Sequence, residues 1–369
     1  MALLLAEAEK LSLPDLQTGV IENIVTSDEV FGLLPFEPID GKSKDYNREN
    51  DLGDADFFDV NEALNESAAT FTAKSQALKR IIGQVDVDEF LETALSDQQE
   101  QTATQIAKKS KVVGRKFANA LINGNVAVRA KEFDGMRAIA KGLASSQKIL
   151  AAAAGAAFSY DHLDELLDAV KVGENPVFVM NSRTIRSYVK LQRALGGTTP
   201  ETVSIGDRVF SAYRGRPILK NDWMPTDESP IGDSYADAAD WAVSTAYVVG
   251  DFVKATGAAQ PTLLFECTTA GTSHATTEPT WDTTPGNTTA DQSPLVWTCR
   301  SATMASIFLA SMDEMEGLTG LVTRRAAGID VIDVGPVENK DARRYRVRWY
   351  TAVVLKSALA LARVSGVNN

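Results

Sequence analysis

Between Ala236 and Ser301 the composition changes so sharply that one continuous pattern cannot run through the chain. This stretch holds three of the five tryptophans (Trp241, Trp281, Trp297), both cysteines (Cys267, Cys299) and fourteen threonines. It carries seven acidic residues against two basic ones. Threonine and tryptophan suit strands, whereas the flanks read as helices and strands rich in Ala, Leu and Val. The break predicts a small all-β module over residues 236–301, set into a larger α+β host. The host can be read without it.

At 369 residues the chain has room for two or three domains. Its 44% apolar and 23% charged residues are those of a soluble globular protein. No apolar run approaches the roughly 20 residues that span a bilayer. The opening MALLLAEAEK has an apolar burst, but Glu7 and Glu9 follow at once and no basic segment precedes it, so no signal peptide is expected. Two cysteines make no disulfide framework, which fits a reducing cytoplasm. The net charge is −12, and no Lys/Arg cluster dominates, although a local basic patch is compatible with that sign. The charge reads first as solubility.

Residues 1–36 combine a short helical start (Ala2 to Leu11) with extended chain, and Phe31, Leu33, Leu34, Pro35 and Phe36 are suited to anchoring an arm. Residues 37–90 read as a long two-stranded excursion opened by Asp40-Gly41, with a polar tip, NRENDLGDADFFDV, and a return through Thr70 to Ile82. Such a hairpin has little core of its own and needs a partner to lie on. Ser96 to Asn123 is the strongest helix, with Ser96 as its cap, Ala103, Ile106, Val113, Phe117 and Leu121 at helical spacing, and Asn123-Gly124 as its end. Ser159 caps a helix over His162 to Val170; Val177 to Met180 is a buried strand; Asn181 or Ser182 caps a helix over Arg183 to Leu195. Val209, Pro217 to Leu219 and Trp223 are assigned to strands, as are Ser306 to Ala310 and the segment after Gly317 up to Val322. From 342 to 354, Tyr345, Val347, Trp349 and Thr351 face one way and Arg344, Arg346, Arg348 and Tyr350 the other.

Taken in order, several segments carry a resemblance: MALLLAEAEKLS, GLLPFEPIDGKSKDYNREN, QALKRIIGQVDVDEF, FANALINGN followed by KEFDGMRAIA, LDELLDAVK with FVMNSRTIRSYVKLQRA, PILKNDWMPTDE, and RRYRVRWYTAVVLKSALALARVSGV. This set resembles the major capsid proteins of tailed phages with the Hong Kong 97 capsid fold, over nearly everything except residues 236–301. The resemblance implies an α+β chain with an N-terminal arm (1–36), an extended loop (37–90), a peripheral domain with a spine helix (91–160), an axial domain in two parts (161–235 and 302–340) around the inserted β domain (236–301), and a peripheral return strand (341–369). It implies a major capsid protein that self-assembles, as hexamers and pentamers, into an icosahedral head around double-stranded DNA. The expected partners are further copies, portal, and scaffold or decoration proteins, with packaged DNA touched only weakly and no membrane. The expected place is the virion, after assembly in the host bacterial cytoplasm. No charged helical scaffold segment precedes the arm, which points to a mature form or to a separate scaffold. Lys42, Lys44, Lys74 and Lys79 lie in or near the loop, but nothing in their spacing indicates the isopeptide chemistry of some relatives. An encapsulin-like compartment shell is the alternative of the same fold, and a carbohydrate-binding protein acting through the insert is the alternative of another class.

In the insert, Tyr247 to Asp251, Leu263 to Thr268 and Leu295 to Cys299 read as strands, the first ending in a turn. The pattern loosely resembles chitin-binding-type modules, so Trp241, Tyr247, Trp281 and Trp297 form a candidate glycan or partner surface, with Trp281 the best placed for exposure. The competing reading, favoured here, makes the same aromatics the small core of a domain of about 65 residues. Cys267 and Cys299 sit at matching ends of two strands, open to a disulfide but more readily two buried thiols. No enzyme, metal or cofactor signature appears. His162 lies in an amphipathic helix beside Asp161 and Asp164, and His274 in a Thr/Ser/Gly loop. Asp51, Asp54, Asp56 and Asp59 lack the EF-hand order and read as a solvated loop tip.

Overall fold

A computed structural model describes residues 28–59, 62, 66–95, 100–196, 201–206, 208–256, 262–325 and 328–368. The helical start at Ala2 to Leu11 and the cap at Ser96 lie outside them. In chain order the elements are α1 (Val30–Leu33), β1 (Phe36–Ile39), β2 (Ser43–Asp51), β3 (Thr70–Ala77), β4 (Lys79–Asp88), α2 (Glu89–Leu95), α3 (Gln101–Asn123) and α4 (Met136–Lys141). There follow β5 (Lys148–Leu150), β6 (Ala156–Ala157), α5 (Tyr160–Ala169), β7 (Pro176–Met180), α6 (Ser182–Ala194), β8 (Thr202–Ile205), β9 (Arg208–Tyr213) and β10 (Arg216–Lys220). The threonine-rich stretch gives β11 (Ala239–Asp240), β12 (Ala246–Tyr247), β13 (Phe252–Lys254), β14 (Leu263–Thr269), β15 (Gly271–Thr272), β16 (Thr288–Ala290) and β17 (Val296–Ser301). The chain closes with β18 (Ala305–Ser311), β19 (Leu318–Thr323), β20 (Asp330–Val337), β21 (Lys340–Leu355) and β22 (Leu361–Asn368). Trp223, expected in a strand, falls in a turn just after β10.

Two compact units share these elements among the described residues: those of 34–138 with 314–357, and those of 28–33 with 139–313 and 358–368. These differ from the expected boundaries at 91–160, 302–340 and 341–369: residues 314–340 group with the first unit. Residues 139–160 group with the second unit because β5 and β6 pair with β22. The expected return strand is two strands, β21 in the first unit and β22 in the second. Pairings between distant strands leave no local trace in a sequence.

In the first unit, the five strands β1, β19, β21, β20 and β4 form one sheet around the 16-residue β21. The expected alternation holds where it matters: Val347, Trp349 and Thr351 are buried. On the other face the arginines answer acids of neighbouring strands, Arg344 pairing with Asp86 at 2.7 Å and Arg348 with Asp330 at 2.9 Å. The described part of the spine helix, α3, runs 23 residues, about 35 Å, and packs on β4 and β21. Its Phe117 sits in a ring cluster with Phe36, Phe133 and Trp349, the centroids 4.6–5.8 Å apart. Phe36, read from sequence as part of an arm, is thus built into its own unit as the first residue of β1. Opposite it, a Cβ on Gly320 would stand 2.4 Å from the Phe36 ring, so only glycine leaves that ring its place. Gly124 ends α3 as expected but at φ −56°, not in the left-handed region. Its role is close approach, since a Cβ there would meet the Phe133 carbonyl oxygen at 2.3 Å.

In the second unit an eight-stranded sheet, ordered β5-β22-β18-β7-β10-β9-β8 with β6 also on β22, carries α5 and α6. Leu163 and Leu166 of α5 and Tyr188 of α6 close a core with Phe178, Met180, Ile218, Ile307, Leu309 and Val364. Asn181 proves to be the cap of α6, accepting the Thr184 amide at 2.8 Å. Ser159 caps α5, and His162 completes a capping box: its Nδ1 accepts the Ser159 amide at 3.3 Å.

That geometry requires a neutral imidazole. Burial holds the His162 pKa below its ordinary 6.5, against the pull of Glu165 and Asp161. The folded-state pKa is therefore the lower one, and the unfolded chain takes up the proton first as pH falls. The stabilisation is complete above 6.5 and declines as pH drops below it. His162→Gln, which keeps an acceptor at the same capping position, is expected to flatten this decline. Urea unfolding at about pH 7.5 and about pH 5.5 measures it; an unchanged pH dependence would contradict the assignment.

Candidate assembly surface

The hairpin β2–β3, whose ladder runs from Ser43↔Ala77 to Asp51↔Thr70, touches its own unit only near its root among the described residues. None of its 9 and 8 strand residues is buried. A two-stranded ribbon exposed on both faces is marginal in water. Its root is fastened to the end of β21: Tyr46 Oη donates to the Leu355 carbonyl at 3.2 Å, and Arg48 donates to the carbonyls of Leu355 and Lys356 at 2.6 and 2.7 Å. Beside them Glu37 receives Lys44 at 2.6 Å and Lys356 at 2.8 Å. Burial pushes the Glu37 carboxyl up, but the hydrogen bonds and charges of the two lysines outweigh it and hold the group below the usual carboxylate range.

The far end is both acidic and apolar. Leu52, Phe57, Phe58 and Phe71 are 76%, 100%, 42% and 64% exposed. The Asp51 and Asp56 carboxylates accept the amides of Gly53 and Phe57 at 3.3 and 2.8 Å, while Asp54 is tied through its main chain to the Ser67 hydroxyl, its carbonyl accepting at 2.8 Å. Among the described residues no three His, Cys, Asp or Glu side chains converge as a metal site would require. Phenylalanines so exposed mark an interaction surface. The sequence had shown the missing core; it had not singled out these rings, although FF within an acidic tip was the available signal.

The threonine-rich stretch has its own sheet, ordered β11-β13-β14-β17-β16, and its own core of Trp241, Val253, Phe265, Cys267, Leu295, Trp297 and Cys299. Trp241 and Trp297, proposed from sequence as part of a sugar-stacking surface, are buried and present no free ring face. Both indole N–H groups donate to Asp291 Oδ2, at 2.9 and 3.2 Å. Tyr247 packs edge-on against Trp297 at 4.9 Å. Trp281 is half-buried, stacked on Phe265 at 4.0 Å, with its N–H on Glu278 at 2.7 Å. Trp241 and Trp297 lie in the core of the stretch, and Tyr247 and Trp281 pack half-buried against it. His274 accepts the amides of Thr276 and Thr277 at 3.3 and 3.1 Å, a turn-holding role.

Cys267 and Cys299 are free thiols. They lie on adjacent strands, but the register sets Cys267 against Trp297 and Cys299 against Phe265, so the two are diagonal rather than paired. Burial pushes the Cys299 thiol up to about 11 and raises Cys267 as well. Both should resist a thiol reagent in the native protein at about pH 8 and react once it is unfolded. A melting temperature that drops on adding reductant would contradict this.

The chain on the two sides of the stretch comes together within the second unit. Glu228 and Met304 exchange backbone hydrogen bonds, each 3.0 Å. Among the described residues no helix is long and apolar enough to cross a membrane.

No family model matches the sequence, and no curated protein matches it. Solved structures do. The chain is similar to an encapsulin complex of Synechococcus elongatus at TM-score 0.60 and 16% identity, covering 100% of this chain and 97% of that one. It is similar to the capsid of a native GTA particle at 0.59 and 14%, covering 98% and 97%. It is similar to the capsid of cyanophage A-1(L) at 0.61 and 10%, covering 97% of each. At such identities the likeness speaks for the fold, and the fold is the Hong Kong 97 type.

Proposed function

We propose that this chain is a major capsid protein: a subunit that assembles with copies of itself, as hexamers and pentamers, into the icosahedral head of a tailed phage around double-stranded DNA. The observation that carries this is the hairpin β2–β3, an extended ribbon with no buried residue and with exposed phenylalanines at its tip. Its missing core is supplied by a neighbouring copy. The fold supports the reading, since the similar structures include phage and GTA capsids. The chemistry is association, with symmetry closing the shell. Assembly in the host cytoplasm, a portal, and scaffold or decoration proteins follow from that role. The net charge of −12 suits a shell that does not grip its DNA tightly.

The module at 236–301 acts in this reading as a surface accessory of the second unit, stabilising the shell rather than binding glycans, because its rings are used as core. The second reading is a compartment shell, favoured by the encapsulin likeness. The test is to purify particles formed by the full chain with its genomic neighbours. Nuclease-protected DNA inside them supports a phage head; a protein cargo without DNA overturns that in favour of the compartment. A chain that stays monomeric at all concentrations, with scaffold present, overturns both.

A further inference from the structure

Helix α6 carries four cations on one stripe. Arg183, Arg186, Lys190 and Arg193 follow at i, i+3, i+7 and i+10, which a helix gathers into an arc of roughly 80°. All four are exposed, and the 13-residue helix contains no acidic residue. Elsewhere the chain answers its arginines with carboxylates, as at Arg344–Asp86, Arg300–Glu266 and Arg363–Glu228. Among the described residues no ion pair engages the four on α6. Asp222, whose carboxylate accepts the Ser182 hydroxyl at the start of the helix at 2.9 Å, is also held by Lys220 at 3.4 Å.

The opposite face of α6 already has its structural duty. Tyr188 is buried and donates to the Ala212 carbonyl at 2.8 Å, and Ile185, Val189 and Leu191 pack on the sheet core. The cations contribute nothing to that packing. Arg186, Val189, Lys190 and Arg193 instead line an open groove of about 450 Å³.

We propose that this stripe is a sequence-independent contact surface for the phosphate backbone of double-stranded DNA. Its span of ten residues is about 15 Å, and a duplex carries a negative charge about every 1.7 Å of axis, so every cation finds phosphate within reach. Three of the four are arginines, whose planar forks suit phosphate oxygens. A protein partner would call for an aromatic or aliphatic anchor, and the one apolar side chain among the described residues of the groove, Val189, already packs half-buried against the sheet core. The surrounding net charge of −12 keeps the contact weak and salt-sensitive. The identity of the polyanion rests on the shell reading above, but the binding is measured apart from it.

The test titrates unassembled full-length chain against a labelled duplex of about 30 base pairs, by fluorescence anisotropy, at about 50 and about 200 mM salt. Three to four phosphate contacts predict a loss of affinity of roughly 40- to 150-fold between the two. Arg186→Gln/Lys190→Gln/Arg193→Gln is expected to weaken binding at the lower salt at least tenfold and to remove about three from the salt slope. Arg186→Lys/Arg193→Lys should retain the slope, and Lys42→Gln/Lys74→Gln/Lys131→Gln, which changes exposed lysines elsewhere, should bind within about twofold of the parent. A stripe variant with parental affinity and slope overturns the proposal. So does polyglutamate binding more tightly than the duplex with the same dependence on the stripe, which would assign α6 to an acidic protein. Particle formation is scored separately. Shells without stripe-dependent DNA binding sink this inference alone, and stripe-dependent binding by a chain that forms no shells sinks the proposed function alone.

Discussion

A chain in which residues 44–76 are replaced by a two-residue turn is expected to fold and to fail to assemble. Ser43 and Ala77 are direct partners across the ladder, so a short type I′ turn such as Asn-Gly can join them without moving either strand. Among the described residues no buried side chain is removed with the hairpin. The subunit loses the links from Tyr46 and Arg48 to the end of β21 and the Lys44–Glu37 pair. Partly exposed contacts of this kind contribute about 1 kcal/mol or less each. Circular dichroism and thermal unfolding of the unassembled subunit should therefore change little, while particle yield falls to background. Phe57→Asp with Phe58→Asp, a milder change at the exposed tip, is expected to reduce yield in the same direction. Normal particles from the shortened chain would mean that the hairpin is not the assembling element.

Replacing Arg363 with alanine is expected to be the most destabilising single change in the second unit. Its guanidinium is 4% exposed and the paired Glu228 carboxylate 1%. Nη2 reaches Glu228 Oε1 at 3.3 Å and the Gly232 carbonyl at 2.7 Å, and Nε donates to Ser306 Oγ at 2.9 Å. The Ser306 hydroxyl in turn donates to the other Glu228 oxygen. The cation also lies 5.5 Å from the centre of the Phe308 ring. Removing it strands a buried carboxylate, which costs about 3–5 kcal/mol. That corresponds to a melting temperature lower by on the order of 10 °C. Arg363→Met with Glu228→Leu removes both charges and should recover most of the loss, because the attraction within a buried pair is largely offset by the cost of desolvating both charges. Glu228 also bonds through its backbone to Met304, where the chain on the two sides of the threonine-rich stretch meets, so the single variant should loosen that junction. A cost below about 1 kcal/mol would show that the pair is hydrated and not a buried clamp.

What could be read in advance followed the range of the interactions involved. Ser159 and Asn181 announced their helices because a cap acts within three residues. The alternation of Val347, Trp349 and Thr351 announced a strand for the same reason. The split of 341–369 between two units was not legible, because β5 and β6 meet β22 across some two hundred residues of chain. In the module the aromatic composition was visible, but whether Trp281 faced solvent or Phe265 depended on the fold of β14 against β17. The diagonal offset of Cys267 and Cys299 depended on the same register, which a slip of one residue would have inverted. The basic stripe on α6 was present in the sequence as RTIRSYVKLQR, yet it gained meaning only when Tyr188 and Thr184 were seen to bury the other face. Overall charge had hidden it.

The most direct test of the central claim is a cryo-electron-microscopy map of particles assembled from the full chain. Closed icosahedral shells of hexamers and pentamers are expected, in which β2–β3 of each subunit lies on a neighbouring copy with Phe57 and Phe58 buried in that contact. A map in which the hairpin folds back onto its own subunit, or projects into solvent with those rings uncovered, would contradict it.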